Sequence, residues 1–257
     1  MGEKTNQYMR QKIVAGNWKM NLDLDEGKEL IIDILDKDLS EDVLVIVAPP
    51  YIHLPSFKQL LSHSKIGLAA QNCHQQKSGA FTGEVSVKML KSVGVDYVIL
   101  GHSERREYYM EDSLAISFKV KTVIEEGLRP IYCCGESLTQ RQEGEHFETI
   151  KTQIVNGLFQ LNDIELLNCI VAYEPIWAIG TGETASPDQA QEMHAFIRKT
   201  IANQYGDMVA DNISILYGGS VKPANAKELF NCPDIDGGLI GGAALNAESF
   251  EAISNSF

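Results

Sequence analysis

Eight short runs of apolar, mostly β-branched residues recur along the chain, at positions 12–16, 43–48, 66–71, 97–101, 129–133, 170–174, 213–217 and 237–241. Most are apolar at consecutive positions rather than alternate ones, the mark of strands covered on both faces in a parallel sheet. Stretches with helical spacing separate them. Leu30, Ile31, Ile34 and Leu35 form one stripe, and Ala190, Met193, Ile197 and Ile201 form another. The second stripe is announced by Ser186 as N-cap, Pro187 at the first helical position and Gln189 placed to close a capping box. Strand–helix alternation repeated eight times predicts parallel strands joined by right-handed crossovers. Over 257 residues that pattern predicts the α/β class and a closed (β/α)8 barrel, eight parallel strands ringed by helices. A doubly wound open sheet is the rival, weakened because no G-x-G-x-x-G follows the first strand.

Composition adds bounds. The chain is 44% hydrophobic and 22% charged, ordinary for a globular protein, and no Pro/Ser-rich linker divides it. One barrel domain over residues 9–257 is expected, preceded by a polar extension at residues 1–8. The net charge of −13 argues against nucleic acid as a partner, since binding a phosphate backbone requires a basic face. Any anion site must therefore be a local feature working against the global field. Five cysteines without a C-x-x-C spacing read as reduced thiols, and hence as a cytoplasmic protein. No apolar stretch approaches the roughly 18–20 residues of a membrane span. The start lacks the apolar core of a signal peptide, and Asn6 breaks a myristoylation pattern after Gly2.

Barrel active sites gather at the carboxyl ends of the strands. The strand pattern thus becomes a set of candidates: Asn17 and Lys19, Gln71 and Asn72, His102 through Arg106, Glu136, Glu174 and Ser220. In an extended segment Asn17 and Lys19 would emerge together while Trp18 faces away. An amide and an ammonium side by side suit an anionic substrate. His102 with Glu104 alone makes a poor metal site, and three consecutive residues seldom reach the geometry of a hydrolytic triad. Neither a metal nor a cofactor is expected.

Five stretches, in order, carry a closer signal. They are Ala15-Gly16-Asn17-Trp18-Lys19-Met20-Asn21, Gly101-His102-Ser103-Glu104-Arg105-Arg106, Tyr173-Glu174-Pro175-Ile176-Trp177-Ala178-Ile179-Gly180-Thr181-Gly182, Tyr217-Gly218-Gly219-Ser220 and Gly241-Gly242-Ala243-Ala244-Leu245. From about Met9 to the C-terminus the chain resembles the triosephosphate isomerase family. The resemblance implies a TIM barrel that interconverts dihydroxyacetone phosphate and D-glyceraldehyde 3-phosphate through an enediolate. It makes Glu174 the general base, held extended by Pro175, and His102 a neutral electrophile at a helix start. Lys19, paired with Glu104, would stabilise the enediolate and attract the substrate, with Asn17 on the same oxygens. A Schiff-base lysine, the rival role, would need a neutral amine that an acidic neighbour opposes.

The segment Pro175, Ile176, Trp177, Ala178, Ile179, Gly180, Thr181 and Gly182 is apolar in its middle and permissive at its end, which reads as a lid that expels water. Gly180, Ser220, Gly241 and Gly242 lie in the loops after strands six to eight, where glycines let main-chain N–H groups approach a phosphate. By the same resemblance the long connection 72–84 carries Thr82 to a partner subunit, implying a homodimer. The resemblance also implies that Cys133 supports the site, with Cys134 as a second thiol beside it. Glu183, where the family often has lysine, alters only the edge of the lid. Two other readings remain: a different barrel enzyme acting on a small phosphorylated metabolite, and a non-catalytic barrel used as a binding or surface protein.

Overall fold

The computed structural model describes residues 10–179 and 184–257. Its eight strands are β1 (Lys12–Asn17), β2 (Val43–Ala48), β3 (Gly67–Ala70), β4 (Tyr97–Leu100), β5 (Arg129–Cys134), β6 (Ile170–Tyr173), β7 (Ser214–Tyr217) and β8 (Gly237–Ile240). All pair in parallel, and β8 returns to β1 to close the barrel. The expected strands are all present, with ends shifted by a residue or so. β3 loses a residue at each end, and beyond it Gln71 donates its side-chain amide to the carbonyls of Lys19 and Ala48, at 2.8 Å each.

Burial on both faces explains the unbroken apolar runs. Ile13, Ala15, Ile46, Ile99, Ile131, Ile170 and Leu239 point inward and fill the barrel. Val14, Val45, Leu68, Val98, Val171 and Ile215 point outward, against the helices. The seam between β8 and β1 is tight. Gly237 sits at φ +135°, and a Cβ there would strike the backbone of Ile13, so only glycine fits.

The helical stripes are seated as their spacing predicts. Leu24–Leu35 starts on an Asp23–Glu26 capping box and buries Leu30, Ile31 and Ile34. Pro187–Tyr205 starts on the Ser186–Gln189 capping box and buries Ala190, Met193, Ile197 and Ile201.

At the amino-terminal end of the barrel, Arg198 ties this last helix to the sheet. Its guanidinium pairs with Asp234 at 2.7 Å and Asp236 at 2.9 Å, and donates to the carbonyls of Ala210 and Ile213 at 2.6 and 3.1 Å. Asp236 also accepts the Ile215 N–H at 2.8 Å and meets Arg10 at 2.8 Å. Burial pushes the Asp236 carboxyl up and Arg198 opposes that. Removing one partner of a buried pair leaves the other charge uncompensated, at a cost of about 3–5 kcal/mol. Arg198→Met should therefore lower the thermal midpoint by roughly 10 °C, read by calorimetry; a shift of a degree or two would show the cluster to be structurally neutral.

Candidate active site

The carboxyl ends of β1 and β4 and the residue after β6 build one wall of a cavity of about 510 Å³. Asn17 ends β1, and its Oδ1 accepts the Lys19 N–H at 3.1 Å. The segment is not extended as its spacing suggests. Lys19 takes a left-handed conformation, φ +54°, because the chain turns there, pinned by Asn17 from within and by Gln71 on its carbonyl. Both side chains nonetheless line the cavity, and Trp18 is buried on the far side, edge-on to Phe57 at 5.5 Å. The Lys19 ammonium is 2.6 Å from Glu104 Oε1.

His102 follows β4 and caps the helix Ser103–Tyr108. Its Nδ1 accepts the Glu104 N–H at 3.3 Å, an arrangement that in the neutral form of the ring leaves the proton on Nε2. Nε2 stands 3.1 Å from Glu174 Oε1, close but out of line for a hydrogen bond. The other carboxylate oxygen, Oε2, accepts the Ser103 N–H at 2.9 Å. Glu174 is buried and packed among backbone. At Gly218 a Cβ would stand 2.8 Å from Glu174 Cγ, so that glycine clears the space the carboxylate occupies. Cys133 lies behind, its thiol pushed well up by burial and by the nearby Glu174.

The opposite wall comes from Gly218, Gly219, Ser220, Gly241 and Gly242. A Cβ on Gly241 would lie 3.7 Å from Lys19 Cε, so the lysine stem runs along this glycine pair. The residues after Gly241 form a single 3-10 turn, Gly242–Leu245, followed by the helix Ala247–Ser254.

The start of the apolar segment also has a defined anchor. Ile176–Ala178 forms a 3-10 turn with Ala178 buried, and Ile179 reaches the cavity wall. Trp177 Nε1 donates to the buried Glu136 at 2.9 Å, as does Tyr173 Oη at 2.9 Å, while Arg141 pairs with the same oxygen at 3.3 Å. Gly180, Thr181 and Gly182 lie outside the described residues, as does the extension 1–8.

Eight of the sequence candidates thus share one cavity: Asn17, Lys19, His102, Glu174, Ile179, Ser220, Gly241 and Gly242. Glu104 stands behind Lys19, and Thr82 is exposed on the loop after β3. Sequence reasoning passed over the Ser103 N–H, which no side-chain pattern announces, and Lys222, two residues beyond Ser220. Among the described residues no three His, Cys, Asp or Glu side chains group to hold a metal.

Known proteins share this arrangement's sequence. The family model described as triosephosphate isomerase matches residues 12–257. A triosephosphate isomerase of Flavobacterium psychrophilum is 53% identical over 248 residues, 96% of this chain and 99% of its own length. Those of Cytophaga hutchinsonii and Porphyromonas gingivalis (strain ATCC 33277) are 51% and 53% identical, each spanning 97% of this chain and 100% of its own length. The chain belongs to the triosephosphate isomerase family.

Behind the site of this family member lies a buried layer that includes a histidine. His194 is buried there, edge-on to Tyr173 at 5.7 Å, with Nδ1 donating to the Asp234 carbonyl at 3.2 Å. Burial drives its pKa down to about 3 from the ordinary 6.5. The folded-state value lies below the unfolded one, so the unfolded chain takes up the proton first. This contribution to stability is complete above pH 6.5 and is lost as pH falls toward 3. His194→Phe should flatten the fall of the urea midpoint between pH 6.5 and 4, leaving the smaller part that burial of His53 contributes. An acid limb as steep as in the parent protein would assign it to other groups.

Proposed function

We infer that the protein interconverts dihydroxyacetone phosphate and D-glyceraldehyde 3-phosphate by proton transfer through an enediolate, a step of glycolysis and gluconeogenesis. One observation carries the reading. A carboxylate, an imidazole N–H and an ammonium converge on a single cavity whose far wall is glycine-rich backbone.

Glu174 is the base. In the structure it rests against the Ser103 N–H, and the space cleared by Gly218 leaves it room to turn toward a bound carbon acid. The proton it takes from one carbon returns to the neighbouring carbon. His102 presents Nε2–H to the substrate oxygens and, as a neutral imidazole, can give and retake that proton; this family is itself the reference case for that chemistry. Lys19 places positive charge beside the developing enediolate, and Asn17 hydrogen-bonds the same oxygens. Glu104 holds the ammonium in place. No cofactor or metal takes part in these steps.

The phosphate is received by the backbone at Gly180, Ser220, Gly241 and Gly242. A Cβ at Gly242 would meet nothing within 4 Å, which supports open access for an anion to the N–H groups. Residues 175–182 act as the lid, a gating motion for which this family is a standard example. Closure must stretch or break the tether from Trp177 to Glu136 and bring Ile179 over the cavity, replacing water by apolar groups.

We assign the whole of residues 9–257 to one barrel domain acting as a homodimer. Support comes from large apolar side chains on the segments that follow β1, β3 and β4: Met20 is 94% exposed and Met110 82%, with Phe81, Tyr108 and Tyr109 also exposed. Thr82 on the 72–84 loop would then reach the partner's site. A cytoplasmic location is supported by five free thiols, four of them buried. No helix among the described residues is long and apolar enough to cross a membrane. A different barrel enzyme is disfavoured by the complete set of groups around one cavity.

Glu174→Gln keeps the shape and removes the base. Turnover in a coupled spectrophotometric assay should fall by at least ~10²–10⁴-fold, and near-normal activity would refute the assignment. For assembly, Phe81→Glu should raise the dimer dissociation constant at least about ten-fold in analytical ultracentrifugation, since a buried unpaired charge costs more than 1.4 kcal/mol. A parent protein that sediments as a monomer would sink the dimer.

A further inference from the structure

The cavity poses an electrostatic problem that the groups so far described do not solve. Its substrate is an anion, the chain carries a net charge of −13, and the wall itself contains Glu174. Lys19, the cation nearest the glycine pair, is 2.6 Å from Glu104, so much of its field is cancelled beyond a few ångströms. The backbone N–H groups act only at contact. Something else must draw a phosphate to the mouth.

Lys222 lies where such a charge is needed. It is the other cation on the cavity wall, it is exposed, and among the described residues no carboxylate pairs with it. Its backbone is held rather than loose. The Lys222 N–H donates to Asn225 Oδ1 at 2.7 Å, while Asn225 Nδ2 donates to the Ser220 carbonyl at 3.1 Å. One asparagine thus locks Lys222 and Ser220 into the same turn ahead of the helix Pro223–Phe230. The position of the lysine is therefore tied to that of the proposed phosphate loop.

We propose that Lys222 captures the phosphate end of the substrate, a specificity-determining role that rests on the phosphate site assigned above. Its long flexible stem lets the ammonium meet an incoming dianion outside the lid and follow it toward Ser220, Gly241 and Gly242. A solvent-exposed charge of this kind acts mainly on the encounter, and salt screens it beyond about 10 Å at 0.1 M. It therefore alters kcat/KM more than turnover at saturation.

The test compares Lys222→Gln, Lys222→Arg and Lys65→Gln, the last removing a remote lysine that is 3.6 Å from Glu41. With D-glyceraldehyde 3-phosphate at about 10 mM ionic strength, Lys222→Gln should lose roughly five-fold in kcat/KM, with a smaller fall in kcat. The gap should close to under about two-fold at 0.5 M salt, where the screening length is only a few ångströms. Lys222→Arg should restore the parent value, Lys65→Gln should match the parent, and unphosphorylated D-glyceraldehyde should not distinguish Lys222→Gln from the parent. An unchanged kcat/KM at low salt, a salt-independent loss, or an equal loss with D-glyceraldehyde would each overturn the proposal. Were the parent protein itself indifferent to the phosphate, the phosphate site would fail along with it; a parent that prefers the phosphorylated substrate while Lys222→Gln behaves identically would remove Lys222 alone.

Discussion

Closure of the barrel between β8 and β1 is the constraint on which the site depends. The pairing of Gly16 with Ile240 brings the end of β1 beside the end of β8, although more than two hundred residues separate them. Lys19 and Gly241 become neighbours only through that seam. Without Gly237 the backbone of β8 could not approach Ile13, and the ring would stay open. An open sheet of the same strands would leave the ammonium and the glycine pair at opposite edges.

Polar clusters brace the two ends of the barrel differently. At the amino-terminal end, Arg198 meets two carboxylates and three carbonyls, with all five of its guanidinium donors used. At the carboxyl end, Oε1 of Glu174 and Oε2 of Glu136 lack an aligned hydrogen-bond partner. A fully satisfied cluster resists rearrangement, whereas an incompletely satisfied one keeps alternatives of similar energy. The division suits an enzyme in which one end of the barrel holds the fold and the other must rearrange around a substrate.

The acidic character of the protein sharpens the role of individual cations. A charge of −13 keeps the chain soluble and repels anions at long range. On the proposed reading, substrate recognition falls to short-range backbone donors together with two lysines whose partners differ. Lys19 is paired with Glu104, and Lys222 faces solvent. Their separation along the chain hides that they share one cavity.

Much of this was legible in the chain itself. Apolar runs determined which segments become doubly covered strands, because burial on both faces leaves few positions for a polar residue. Ser186-Pro187-Asp188-Gln189 determined a helix start through local hydrogen bonds that need no distant partner. The five motifs marked the candidate side chains, since a residue's chemistry is local. What only the tertiary structure decided was geometry. It turned Lys19 into a left-handed bend, parked Glu174 on a backbone N–H at the start of the helix after β4, set Gln71 across two carbonyls and brought Lys222 to the cavity rim. Each of these depends on contacts between segments remote in sequence, which no spacing along one chain can encode.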